Sequence, residues 1–158
     1  LMFARWAKGF RQHVNTLPRM DPDFSTAAGG DPNIAYYHSY WQLEENEALV
    51  IEVTPPECEF WNFQVNNHWM ESLDYRYHTI HVNSHTARYN PDGSVRIVVA
   101  LRDPGCENWL TTAGHSCGTM LFRWVRADIH PQPATRVAAL EELRKQEADN
   151  STEAGDET

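Results

Sequence analysis

The sequence predicts a mainly β fold, an antiparallel sandwich or partly closed barrel with helices confined to its two ends. Three observations carry that prediction. From Ile34 to Val125 the apolar residues recur with a period of two, in about seven short runs. Between the runs stand turn formers such as Pro55-Pro56, Asn90-Pro91-Asp92-Gly93 and Asp103-Pro104-Gly105. No helical pattern separates the central runs, which disfavours a βαβ dinucleotide fold. Gly114-His115-Ser116-Cys117-Gly118 likewise has neither the glycine spacing nor the basic residue of a phosphate-binding loop.

In residues 1–14, Phe3, Trp6, Phe10 and Val14 fall on one side of a helix. Such a stripe needs a cover, either the domain's own sheet or a partner, meaning an upstream domain or a second copy of the chain. Residues 17–33 carry Pro18, Pro22, Pro32 and Gly29-Gly30 and read as an irregular connector, a flap or a link. The chain therefore divides into a helix and connector at 1–33, a β-sandwich domain at 34–130, and a helix with an acidic tail at 131–158.

At Ile34 the period becomes two. Tyr37, Trp41 and Leu43 share one strand face, and Tyr36, His38 and Tyr40 share the other, so both faces carry bulky groups. Leu49, Ile51 and Val53 then alternate with Val50, Glu52 and Thr54, and Trp61, Phe63 and Val65 point together. A further strand sets His78, Ile80 and Val82 against Tyr77, Thr79 and His81. Residues 86–89 and 95–101 form a hairpin about the turn at Gly93. Residues 119–125 make the last strand, with Met120, Phe122 and Trp124 on one face. After Pro131 and Pro133 a helix is expected over residues 135–146, supported by Glu141 and Lys145 at i,i+4, and the polar tail from Ala148 reads as disordered.

With 158 residues the chain can bury about two-thirds of its unfolded surface. Cys58, Cys106 and Cys117 are odd in number and form no C-x-x-C pair, so reduced thiols are expected rather than a disulfide framework or zinc knuckle. A formal charge of −9 repels a nucleic-acid backbone, and Arg88, Arg96, Arg102, Arg123 and Arg126 are scattered rather than striped. No apolar run approaches the roughly 20 residues that span a bilayer. On the visible sequence a cytoplasmic setting is favoured. The chain opens at Leu1 inside the first helix, which suggests an excised segment.

Candidate chemistry centres on histidine, with His38, His68, His78, His81, His85 and His115 among the strands. Imidazole serves as a near-neutral acid–base group and as a metal ligand. His81 and His85 share a side if their strand continues, which makes them the candidate metal ligands and, with Asp103, the candidate catalytic groups. No H-x-H pair supplies a two-histidine grip, and hydrogen-bonded or exposed histidines without a chemical task are the competing reading. Cys117 lies near His115 between two glycines, yet a Cys–His pair requires a distance that spacing does not give. Glu57, Glu59, Asp74 and Asp103 lie near strand ends, and Asp103 before Pro104-Gly105 is also a turn former. Trp61, Trp69, Trp109 and Trp124 near Asn62, Asn66, Asn67 and Asn108 suggest either a pocket equipped with amide hydrogen bonds or a core filled by large indoles. No motif names a cofactor.

Two stretches carry a resemblance. Asn83-Ser84, then Tyr89-Asn90-Pro91-Asp92-Gly93-Ser94 and the strand from Val95, is similar to the DGS hairpin of DUF1214 domains. Asp103-Pro104-Gly105-Cys106-Glu107-Asn108-Trp109-Leu110, followed by Gly118-Thr119-Met120-Leu121-Phe122-Arg123-Trp124, resembles the P-x-x-x-NWL segment and closing strand of the same family. The likeness covers roughly residues 36–125. It implies a jelly-roll-like β-sandwich of the kind often found behind a DUF1254 domain, with hydrolase-like activities linked to some members. It also marks Asn108, Trp109 and Arg123 as pattern positions. Each has a structural account: Asn108 capping a turn, Trp109 plugging the adjoining core, Arg123 pairing with a carboxylate such as Asp103.

The leading functional expectation is a small-molecule-binding or accessory domain of a larger protein, with Trp61, Asn108, Trp109 and Arg123 at the ligand. The alternatives are a hydrolase, metal-assisted through the His81/His85 region, and a structural interaction module that exposes Trp6 and Phe10.

Overall fold

The computed structural model describes the backbone of residues 2–155 and the side chains of residues 5–150. In chain order the elements are α1 (Met2–Phe10), α2 (Pro22–Ala27), β1 (Ile34–Gln42), β2 (Glu47–Val53), β3 (Phe60–Val65), β4 (His81–Asn83), β5 (Val95–Ala100), β6 (Trp109–Thr111), β7 (Cys117–Val125), β8 (Ala134–Ala139) and α3 (Leu140–Gly155). The strands form two four-stranded sheets, ordered β1-β7-β3-β4 and β6-β5-β2-β8. Together with the flanking helices they make the expected mainly β, jelly-roll-like sandwich. The first sheet is antiparallel throughout, whereas β6 joins β5 in parallel, so the second sheet is mixed.

The period-two pattern places the core. Tyr37 and Trp41 of β1, Leu49 and Ile51 of β2, Trp61, Phe63 and Val65 of β3, Ile97 and Val99 of β5, and Met120, Phe122 and Trp124 of β7 are buried between the sheets. Phe122 is the hub. Its ring meets those of Tyr37, Trp61, Phe63 and Trp124 at centroid distances of 6.4, 5.6, 6.0 and 4.6 Å. Burying one such ring stabilises by roughly 1.5–3 kcal/mol, and each aromatic pair adds about 0.5–1.5 kcal/mol. Polar tips of these rings reach backbone oxygens: Tyr37 Oη donates to His130 O at 3.0 Å, and Trp124 Nε1 to Pro131 O at 3.2 Å.

Strands β2 and β5 are buried on both faces. Ala48, Val50, Val98 and Ala100 point away from the inter-sheet core and are covered by Ala138, Leu140 and Leu143, with Trp109 at the margin. On the first sheet, α1 covers part of β1: Ala7 is buried, and Phe10 stacks on His38 with centroids 4.8 Å apart. Ala7 and Phe10 of the first helix are thus used by the chain's own sheet, and the side chain of Phe3 lies outside the described residues.

Several expectations are corrected. The first helix stops at Phe10, and Val14 instead forms a parallel bridge with Tyr40. The connector contains α2, capped by Asp21, whose carboxylate accepts Phe24 N at 2.8 Å, with Pro22 in the first turn. The histidine strand shrinks to β4, and the run at 86–89 contributes only the Tyr89–Val95 bridge, although the turn at Gly93 forms with φ of 82°. Residues 135–139, expected to be helical, belong to strand β8 (Ala134–Ala139). The open edge of β2 supplies them with a hydrogen-bonded ladder, and tertiary pairing overrides a weak local helix preference. The helix begins at Leu140 and continues through Ala148, expected to be disordered, to Gly155. Among the described residues no helix is long and apolar enough to cross a membrane.

One close approach depends on glycine. Gly118 of β7 pairs with Trp41, and a Cβ built there would stand 2.0 Å from Asn66 O and 2.9 Å from the Trp41 ring. Trp41 Nε1 donates to both Asn66 O and Thr119 O, at 3.2 and 3.1 Å, so the indole has little freedom to retreat. Gly118→Ala should cost about 3 kcal/mol, read as a lower urea midpoint at unchanged slope; an unaltered midpoint would contradict this packing.

Candidate functional site

A cleft of about 420 Å³ opens where the β4 edge of the first sheet meets the β6 edge of the second. Thr111 N donates to Thr79 O at 2.9 Å and ties the two edges together. The walls include Tyr75, His78, His81, Arg88, Asn108 and Trp109.

Asn108 builds the wall. It takes a positive φ of 53°, a conformation asparagine tolerates better than most residues. Its Oδ1 accepts Arg88 N at 2.7 Å, and its Nδ2 donates to Arg88 O and Arg96 O at 2.8 and 2.9 Å. One side chain therefore locks β5 at Arg96 to Arg88 in the segment between β4 and β5, as a turn-capping amide would. Trp109 donates from Nε1 to Ala100 O at 3.1 Å and packs against the cluster under α3, so it plugs the outer layer of the second sheet rather than the inter-sheet core. Against these committed groups stand uncommitted ones. The side chains of His81 and Arg88 make no hydrogen bond among the described residues, and Tyr75 is largely exposed.

The remaining sequence candidates lie elsewhere. Trp61 is fully buried, stacked on Phe122, and gives its N–H to Tyr89 Oη at 3.1 Å, so it is core. His85 is exposed beyond β4, its ring tilted against Phe60 at 6.0 Å. Among the described residues no group of three His, Cys, Asp or Glu side chains is placed to hold a metal ion, which leaves the His81/His85 metal reading without a ligand set. Asp103 acts as a turn former, its carboxylate accepting Gly105 N at 2.7 Å while its carbonyl accepts from Arg144. It does not pair with Arg123. That guanidinium lies on the outer face of the first sheet, its closest hydrogen bond a 3.4 Å one to Gln64 Oε1, and burial lowers its pKa. Cys117 is met by Tyr40, whose hydroxyl donates to the sulfur at 3.2 Å, and not by His115.

Two features escaped the sequence reading. Tyr75 and Arg88 had no expected site role; both sit in irregular segments, and only the folded chain brings them to Trp109. His38 was visible as a strand histidine, but its setting was not: the ring lies under Phe10 with Nδ1 buried and without a partner. Burial, and secondarily the nearby Arg123 charge, push its pKa down to about 4. Cys106 beneath α3 is pushed up to about 11, by burial first and then by the Glu147 carboxylate, and stays a thiol at neutral pH.

The family model described as "Protein of unknown function (DUF1214)" matches residues 41–128. The structure of an uncharacterised protein from Burkholderia cenocepacia is similar, with 55% identity and a TM-score of 0.86, over 89% of this chain and 39% of that one. The VPA0106 protein from Vibrio parahaemolyticus shares the fold, with 18% identity and a TM-score of 0.53, over 67% of this chain and 31% of that one. The chain thus spans well under half of either solved relative. No curated protein matches it.

Two outcomes are expected. Asn108→Ala removes three hydrogen bonds and leaves a strained backbone, which should destabilise by about 2–3 kcal/mol in chemical denaturation. Because the folded pKa of His38 lies near 4 and the unfolded value near 6.5, the unfolded state binds the extra proton between them. Its stabilising contribution is complete above pH 6.5 and falls by about 3 kcal/mol as pH drops to 4. A His38→Phe variant should lack that part of the acid-side loss, and identical pH–stability profiles would contradict a buried neutral imidazole.

Proposed function

The chain belongs to the DUF1214 family, and on that premise we propose that this β-sandwich is a small-molecule-binding, accessory domain of a larger protein. The observation that carries the reading is the cleft between β4 and β6. There the uncommitted His81 and Arg88 side chains converge with the rings of Tyr75 and Trp109, on a wall locked by Asn108. A volume of about 420 Å³ suits a small ring compound. Aromatic faces offer apolar contact, while an imidazole and a guanidinium offer donors that fix orientation. The accessory character is supported by the Burkholderia relative, whose chain extends far beyond the part matched.

A hydrolase reading is less well supported. Its candidate residues His81, His85 and Asp103 are held on different segments, and Asp103 is occupied by its own turn. An interaction module built on the first helix finds Phe10 engaged with His38.

A screen of monosaccharides, nucleosides and other polar ring compounds by ligand-observed NMR tests the proposal. Binding should be saturable and should weaken about tenfold in His81→Ala and in Arg88→Ala, with the melting temperature of both variants preserved because both side chains are exposed. Absence of any saturable ligand, or ligands indifferent to both substitutions, would sink the cleft as the site.

A further inference from the structure

A second concavity lies on the opposite flank of the first sheet, between α1, the segment at 18–24 and β1. Its volume is about 310 Å³, at the small end of ligand pockets, which span about 300–1,000 Å³. The walls are mainly apolar, formed by Trp6, Phe10, Met20 and Phe24. Phe24 projects its ring from α2, is 56% exposed, and shares the groove with the apolar side chains of Trp6, Phe10 and Met20.

The charges at this groove are net positive, with two guanidiniums against one carboxylate. Arg5 and Arg19 border it, and neither makes an ion pair or side-chain hydrogen bond among the described residues. Asp21 is the one carboxylate in the lining; one of its oxygens accepts Phe24 N as the cap of α2, and its charge offsets one of the two guanidiniums. In a chain with 22 acidic and 13 basic residues, two unpaired guanidiniums at the mouth of an apolar groove form a local positive field. His38 closes the floor under Phe10, with its Nδ1 buried and unpartnered. A cationic ligand would be repelled here, and a neutral one would leave the guanidiniums unused.

We propose that this groove binds a small amphipathic acid, with an apolar or aromatic body between Trp6, Met20 and Phe24 and its carboxylate held by Arg19 and Arg5. Recognition needs both parts. The apolar walls supply area removed from water, and the charge-assisted hydrogen bonds select the anion. The site is separate from the β4–β6 cleft and does not rest on the reading of that cleft.

The test uses 2-naphthoate as probe and 2-naphthol as its neutral counterpart, titrated into the 158-residue chain and followed by ligand-observed NMR. Naphthoate should bind saturably and about tenfold more tightly than naphthol. Arg19→Gln and Phe24→Ser should each weaken it about tenfold without moving the melting temperature, since both residues are exposed. His81→Ala, in the other cleft, should leave it unchanged. Equal affinity for naphthol, undiminished affinity in both groove variants, loss of binding in His81→Ala, or no saturation up to about 10 mM would each overturn the proposal.

Discussion

The ring of Phe122 sets the spacing and register of the whole sandwich. It stands on β7, a strand flanked on both sides within the first sheet, and meets rings from β1 and β3 as well as its own strand neighbour Trp124. Because strand side chains alternate strictly, a one-residue slip of β7 would exchange Phe122 for Leu121 or Arg123 and place a guanidinium in the core. The cost of burying that charge far exceeds any local preference, so the register is single-valued. The opposite end of the same strand is pinned by Gly118, where the Trp41 indole reaches the Asn66 and Thr119 carbonyls.

From that core outward, the layers take their character from what covers them. The second sheet is covered by α3, so β2 and β5 are apolar on both faces. The first sheet has only a partial cover, and its outer face keeps His38 and Arg123, whose Nδ1 and Nε are buried without hydrogen-bond partners. The concavities arise where cover ends: at the meeting of the β4 and β6 edges, and where α1 and α2 leave β1. Short edge strands such as β4 and β6, three residues each, free the adjoining loops to carry side chains into a cleft. A rigid aromatic core with irregular rims is a scaffold on which ligand contacts can change without disturbing the fold.

Much of this was written in the sequence. Alternation in Leu49-Val50-Ile51, Trp61-Asn62-Phe63 and Met120-Leu121-Phe122 determined strands and their inner faces, because a period of two has one reading once turns bound it. Asn90-Pro91-Asp92-Gly93 determined its turn, and the motif around Asn108 and Trp109 pointed to the family and to one wall of the cleft. Even the missed α2 had a signal, an aspartate before proline at a helix start. Tertiary structure decided the rest. Residues 134–139 became strand β8 because β2 offered an unpaired edge, which no local pattern reports. Trp61 went to the core and Trp109 to the outer layer because sheet order, not indole chemistry, decides which face is covered. Tyr75, His81 and Arg88 were brought to Trp109 by two strand edges distant in sequence, and the neutral state of His38, its Nδ1 buried without a partner, followed from a helix folding over it. Local physics acts through neighbours in the chain and is therefore readable there, whereas the pairing of edges and the burial of polar groups depend on neighbours that exist only once the chain has folded.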